Sequence, residues 1–511
     1  MTAPIKKILI VGGGSSGWLS AAYLQRMLNR VDPHRVEITL VESPDLGIIG
    51  VGEATVPTLV NTLGFLGVDE ADFMRRTHAT FKQAIRFENW RDDPLTAPGQ
   101  HFWHPFERMD TLGGLPMQLA LSRRLGEMPP GRFAYDVLAQ PWLCDAMRAP
   151  KVGRQTLAPY AYHMDAVLMG RYLRELATGR GVVHLEDTIA RATQHPDGSI
   201  AALHTRSGRQ LEADLFIDCS GFASVLLQGV FAEPFESYGD SLFCDRAVAM
   251  QVPLNPAAEI KPYTTSTAQK HGWTWEIQLR ERCGIGYVYS SAFCSDDDAE
   301  RELREHIGPR AEGLNARRLT MRVGRTRDFW VRNCVSIGLS GGFIEPLEST
   351  GIYLVEMGLK LLLDNLPLHG LQDVCARNFN QRMRRHYDKV RDFIVLHYCL
   401  TNREDTEFWR ANKHSRHLPD SLRENLELWQ HRYPASWDDG STGNFFSHAT
   451  YLFILAGMGR LPALDTAYSG FVSEQQIAEA QAGLRAHRDE LLRHAPSHRR
   501  YLETQVGPLS R

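Results

Sequence analysis

An α/β fold with a largely helical C-terminal lobe is what the sequence predicts, on three observations. The stretch KKILIVGGGSSGWLSAAYLQRML (6–28) passes from a buried apolar strand through a glycine turn into an amphipathic helix. Two further apolar runs, ADLFIDCSGFASVLL (213–227) and NCVSIGLSGGF (333–343), each end in small-residue turns. Beyond residue 360 the chain becomes polar with helical spacing, as in NFNQRMRRHYDKVRDFIVLHY (378–398) and EQQIAEAQAGLRAHRDELLRH (474–494).

The first element carries the G-x-G-x-x-G spacing at Gly12, Gly14 and Gly17, as in a Rossmann-like βαβ unit. Glycines allow the sharp turn, the close approach of backbone to a pyrophosphate and tight packing of the helix, whose N-terminus attracts anions. A second strand, VEITLVE (36–42), ends in Glu42, placed to accept hydrogen bonds from an adenosine ribose. A dinucleotide is therefore expected at Gly12, Gly13, Gly14, Ser15, Ser16, Gly17, Glu42 and Ser43. The alternative is a glycine turn that does no more than pack one helix.

A chain of 511 residues exceeds a usual single domain, so two or more lobes are expected. Hydrophobic residues make up 43% and charged ones 23%, as in a soluble globular protein, and a net charge of −3 argues against a nucleic-acid surface. The eight cysteines are scattered without a Cys-x-x-Cys or a metal-ligand spacing. Buried reduced thiols, a cytoplasmic address and no metal site follow as expectations. The early run ILIV (8–11) is too short for a signal peptide, and no stretch reaches the ~20 apolar residues of a membrane span.

Three strand-turn units spread over most of the chain are how FAD enzymes of the aromatic-hydroxylase type wrap an extended flavin. Those hydroxylases carry Asp-Gly where this chain has Ser220-Gly221, and Gly-Asp where it has Gly338-Leu339. The first departure argues against direct use of NADPH, and the second alters a flavin contact.

Four motifs make the likeness specific: GGGSSGW (12–18), GVGEATVP (50–57), WTWEI (273–277) and FIEPLESTG (343–351). AYHMDA (161–166) and HYCLTNREDTEFW (397–409) add to them. With these the chain resembles the flavin-dependent tryptophan halogenase family over nearly its whole length. Gln278 stands where a proline usually follows the tryptophan motif, so a local backbone difference is expected there.

The resemblance implies a fold, a reaction and a set of residues. FAD, as FADH2 supplied by a separate flavin reductase, uses O2 and a halide ion (chloride or bromide) to form hypohalous acid. That acid halogenates a small electron-rich aromatic, an indole, by electrophilic substitution. Lys82 and Glu348 match the catalytic pair, Thr350 and Gly351 the halide contacts, and Glu53, Ala54, Leu339 and Ile352 flavin contacts. His104 and Phe106 in HFWHPFE (101–107) match residues that sandwich the substrate ring, with Trp103 adding to the wall. Trp273 and Trp275 match a barrier that keeps organic molecules from the flavin. Lys82 either hydrogen-bonds the hypohalous acid or forms a haloamine.

The same residues have plainer readings on their own. Ser-Thr-Gly suits a helix N-cap, a glutamate before it a solvated residue, and a lone lysine a solvent-facing side chain. GWTWEIQL suits any strand burying large rings, and HFWHPFE an aromatic surface loop. An FAD-binding lobe is expected over 1–360, with an inserted sheet and a substrate-facing segment at 82–130, and a mainly helical substrate-side lobe over 361–511. The chain is expected to be a monomer or homodimer. The alternatives to a halogenase are a flavin monooxygenase that hydroxylates an aromatic and a flavin-binding protein without halogenating activity. Tryptophan-specific members hold the amino acid with a Tyr-Tyr pair followed by a glutamate. The corresponding stretch, STGNFFSHATYLFILAGMG (441–459), offers Phe445-Phe446 and no acid, so free tryptophan is not the expected preferred substrate.

Overall fold

The computed structural model describes residues 4–45, 52–435, 438 and 446–509. The chain forms two compact units, each assembled from three segments: Met1–Ala79, Met164–Tyr238 and Met321–Lys389 in the first; Thr80–His163, Gly239–Thr320 and Val390–Arg511 in the second.

In the first unit the apolar run at Lys7–Val11 is a strand buried after its first residue. It pairs in parallel with Glu37–Glu42 on one side and Leu215–Asp218 on the other, Ile10 opposite Leu40 and Ile217. The six-stranded sheet runs in the order Val183–Glu186, Glu37–Glu42, Lys7–Val11, Leu215–Asp218, Cys334–Ser336, Trp330–Val331. Only the last strand is antiparallel. The three apolar runs of the sequence thus lie side by side, buried on both faces as parallel strands require. Helix Ser15–Leu28 buries Trp18, Leu19 and Ala22, giving the FAD-binding Rossmann-like arrangement. Ser220, where hydroxylases place an aspartate, donates its hydroxyl to Asp218, which also accepts from the Leu226 and Leu227 amides.

The second unit is built on a seven-stranded sheet in the order Arg317–Thr320, Arg246–Pro253, Arg282–Tyr289, Gly272–Gln278, Thr264–Ala268, Ala84–Glu88, His101–Pro105. Neighbours are antiparallel except Thr264–Ala268 with Ala84–Glu88. Helix Asp296–Ile307, capped by the Ser295 hydroxyl, packs Ala299, Leu303 and Ile307 with Val248, Met250 and Ile285. The helices expected late in the chain are present, among them Asp373–Cys399, His448–Gly457 and Glu474–His494.

The division expected at residue 360 falls inside the helix Thr350–Asp364. Compactness instead groups residues 390–511 with 80–163 and 239–320. Strand pairing such as Ile85 with Thr264 joins two of these segments, and helix His448–Gly457 adds the third by packing Leu452 and Phe453 in one cluster with Trp103 and Phe133; neither contact leaves a local mark in sequence. All eight cysteines are free thiols, six of them buried. Among the described residues no helix is long and apolar enough to cross a membrane.

Candidate active site

The dinucleotide turn is built as its glycines require. Gly12 has φ +114°, and a Cβ there would strike the Cys219 carbonyl. A Cβ on Gly13 would strike the Glu42 carboxylate, and one on Gly17 the Gly12 carbonyl. Gly14 is the N-cap of helix Ser15–Leu28 and offers no capping side chain, so the first-turn amides are left to an anion. The Ser15 and Ser16 hydroxyls donate to the Ala166 and Ile337 carbonyls at 3.1 and 3.0 Å. Both hydroxyls are thus engaged within the protein.

Glu42 lies beside this turn, one oxygen 2.7 Å from His184 Nε2. Ser43 is held by the Thr188 hydroxyl at 2.7 Å. The half-buried Glu53, next to Ala54, has its carboxyl pushed up to about 7 by desolvation. Cradle, open helix end and ribose-side acid fit a flavin adenine dinucleotide.

The stretch EPLESTG forms a short turn of helix at Pro346–Glu348 followed by helix Thr350–Asp364. Glu345 and Glu348 are buried, so neither is the solvated residue a local reading suggests. Ser349 takes the N-cap position in a left-handed conformation, φ +60°, and its side chain does not cap the helix. Thr350 is fully buried and its hydroxyl has no hydrogen-bond partner. A buried hydroxyl left this way costs about 1–3 kcal/mol, which points to an acceptor supplied by a ligand. Gly351 beside it has open space where a side chain would be. A helix N-terminus without a side-chain cap, with an unpaired hydroxyl in its first turn, suits a small anion. Ile352 is buried in the same turn, and the half-buried Leu339 sits in the turn Gly338–Ser340.

In the second unit, strand Thr80–Lys82 pairs antiparallel with Ala161–Met164, Lys82 opposite Ala161 and Thr80 opposite His163. Lys82 is fully buried, with Nζ 5.1 Å from the centre of the Phe106 ring. The solvent-facing reading of this lysine is thereby excluded. Two histidines that the sequence did not single out support the strand. His163 is held well below its ordinary pKa by burial and then by the positive charge of Lys82, and its Nε2 meets the Thr264 hydroxyl at 2.8 Å. His498 accepts the Phe81 N–H at Nε2 (3.1 Å) and donates from Nδ1 to the Ile260 carbonyl (2.9 Å). This is the neutral ring, and burial lowers its pKa to about 4. His163 lies within AYHMDA and was findable there; His498 carries no local signal.

A pH dependence follows from His498. Unfolded, it titrates near 6.5; folded, near 4. Between those values the unfolded chain binds the extra proton, so stability falls as pH drops through this window. The loss reaches about 1.4 kcal/mol per pH unit, on the order of 3 kcal/mol in all. Urea unfolding of wild type and His498→Gln is expected to show a stability gap at pH 7.5 that narrows by about 2 kcal/mol at pH 5. A gap independent of pH would contradict the assignment.

Trp273 and Trp275 alternate on strand Gly272–Gln278 and so share one face, ring centroids 6.3 Å apart. Both are buried, and neither indole N–H has a hydrogen-bond partner. Gly286 stands opposite Trp275 in the ladder, and a Cβ there would strike the Trp275 six-membered ring. Gly286→Ala is therefore expected to displace that ring and cost about 1–3 kcal/mol, measured by urea unfolding with tryptophan emission as the probe; an unchanged midpoint would contradict it. At Gln278 the strand continues, paired with Cys283, and the Gln278 carbonyl accepts the Thr80 hydroxyl at 2.6 Å.

The stretch HFWHP is a strand rather than a surface loop, and its pleat sends Trp103 and His104 to opposite faces. His104 faces Phe393 at 5.8 Å and Phe453 at 6.3 Å. Trp103 instead donates its indole N–H to the Tyr135 hydroxyl (2.7 Å) and abuts Tyr263. Trp103 thus backs the strand and does not share a wall with His104. Phe446 is buried and stacks on Phe393 at 4.1 Å; Phe445, like Gly50 and Val51, lies outside the described residues.

The parallel sheet, the glycine cradle and the acid that ends the second strand define a Rossmann-like dinucleotide-binding protein. The profile of the tryptophan halogenase family matches residues 7–472, so the chain belongs to that family and is a flavin-dependent halogenase. It is 37% identical to the tryptophan 7-halogenase RebH of Lentzea aerocolonigenes over 99% of this chain and 100% of that one. The crystal structure of the tryptophan 6-halogenase SttH of Streptomyces toxytricini superposes with a TM-score of 0.91 at 37% identity, covering 97% of this chain and 99% of that one. BrvH, a flavin-dependent halogenase from Brevundimonas sp. BAL3, superposes with a TM-score of 0.87 at 34% identity, covering 99% of both chains.

Proposed function

We propose that the chain is the halogenating component of a two-component system, taking FADH2 from a separate reductase and using O2 and chloride or bromide to halogenate an indole other than free tryptophan. The observation that carries the halide step is the buried, unpartnered Thr350 hydroxyl at an uncapped helix end. Halogenation requires an anion site of this kind and hydroxylation does not.

Reduced FAD held at the glycine cradle would supply hypohalous acid from O2 and halide. Thr350 and Gly351 hold the halide by hydroxyl and backbone N–H. Trp273 and Trp275 bar organic molecules from the flavin. The Lys82 ammonium hydrogen-bonds the oxygen of the hypohalous acid and passes it a proton as the arene attacks the halogen, so that oxygen leaves as water and the proton lost from the ring restores the ammonium. Glu348 polarises the electrophile or takes the ring proton as aromaticity returns. His104 and Phe106 flank the substrate ring. Ser220 and Leu339, standing where hydroxylases carry aspartates, support reduction by a partner rather than by NADPH directly. Eight unpaired thiols support a cytoplasmic setting.

The buried Phe446–Phe393 stack supports an apolar substrate. A tryptophan zwitterion would lose hydration at two charged groups, at a cost of roughly 1–3 kcal/mol each. With reductase, NADH and bromide, kcat/KM for indole is expected to exceed that for tryptophan by about tenfold or more. A clear preference for tryptophan would overturn the substrate reading and leave the halogenase reading in place.

A further inference from the structure

The geometry points to a metal site of zinc type at His271, Cys294 and Glu302, remote in sequence from every residue assigned above except Trp273 and Trp275. His271 lies in the turn before strand Gly272–Gln278, Cys294 between strand Arg282–Tyr289 and helix Asp296–Ile307, and Glu302 on that helix. A ring nitrogen of His271, Cys294 Sγ and a Glu302 carboxylate oxygen all lie within 4.8 Å of one another. Zinc bonds of about 2.0–2.3 Å at tetrahedral angles place ligand atoms roughly 3.4–3.6 Å apart. His271 Nδ1 and Glu302 Oε2 are already 3.6 Å apart, too far for a hydrogen bond and right for two ligands of one ion.

Three further observations favour a ligand. His271 Nδ1 is buried without a hydrogen-bond partner. The Tyr287 hydroxyl accepts from the His271 backbone N–H (2.9 Å) and donates to Glu302 Oε2 (3.1 Å), so it anchors the turn that carries His271 and orients the Glu302 carboxylate as an outer partner of a metal site does. The three side chains line a cavity of about 500 Å³, which leaves room for a water as fourth ligand. Lys270 Nζ stands 3.8 Å from the other Glu302 oxygen, but its side chain is largely exposed and free to swing away.

The nitrogen, sulfur and oxygen set selects zinc, cobalt or copper over magnesium and calcium. Binding converts the Cys294 thiol to a metal thiolate and releases one proton to solvent. The ion would tie the turn that precedes Trp273 to the helix Asp296–Ile307. Sequence reading found no metal site because the three ligands share no recognisable spacing.

Cobalt titration of chelator-stripped full-length protein tests this. One equivalent of Co²⁺ is expected to produce sulfur-to-cobalt charge-transfer absorption in the near ultraviolet, displaced by Zn²⁺. Glu302→Gln is expected to weaken the apparent affinity roughly 10–100-fold, and Cys294→Ser to abolish the band. As a check that needs no variant, zinc should protect one thiol of the wild-type protein from iodoacetamide, identified by peptide mass spectrometry as Cys294. Cobalt binding without a sulfur band, protection of no thiol or of a different one, or wild-type affinity in Glu302→Gln would each overturn the proposal.

Discussion

Lys82→Ala is expected to retain FAD binding and oxygen consumption while halogenated product falls on the order of 10²–10⁴-fold, the range for a positioned acid-base group. The electrophile would still be generated, and nothing would receive it. Lys82 is fully buried beneath the Phe106 ring, an environment in which an ammonium persists only where its charge is used or paired. Peroxide or hypohalous acid in solution should rise as product falls. Glu348→Gln keeps shape and loses charge, so a milder loss is expected if Glu348 chiefly orients the electrophile; a loss as complete as that of Lys82→Ala assigns the pair an obligatory joint role. Near wild-type halogenation by Lys82→Ala would reject the assignment.

Thr350→Val is expected to raise KM for the halide roughly 10–100-fold while FAD affinity and the unfolding midpoint hold. The exchange removes one hydroxyl and preserves shape. A hydrogen bond to a charged group contributes about 1.5–3 kcal/mol, and the Thr350 hydroxyl has no protein partner to lose. Varying bromide and chloride at saturating indole measures the effect. An unchanged halide KM would move the halide elsewhere.

The glycine turn was legible because its chemistry is local: only glycine tolerates φ +114° at residue 12 and the close approaches at 13 and 17. The parallel strands were legible as apolar runs, since strands buried on both faces need no alternation. The tryptophan pair was legible as a shared face, since period two is visible in the letters. His104 and Trp103 could have been separated by the same rule, had HFWHP been read as a strand. The two interleaved units could not be read, because strands join across long gaps by backbone bonds that no side chain announces. His498 is the clearest case, meeting Phe81 across 417 residues of chain. The unpartnered Thr350 hydroxyl was equally hidden, for a missing partner is a property of space and not of spacing.

The most direct measurement of the halogenase account is the mass spectrum of products from indole incubated with this protein, FAD, NADH, O2, a separate flavin reductase and bromide. The account predicts an added bromine, recognised by its two equal isotope peaks, which disappears when the reductase or the bromide is withheld. A product carrying an added oxygen and no bromine, or peroxide as the sole product across a panel of indoles and phenols, would contradict it.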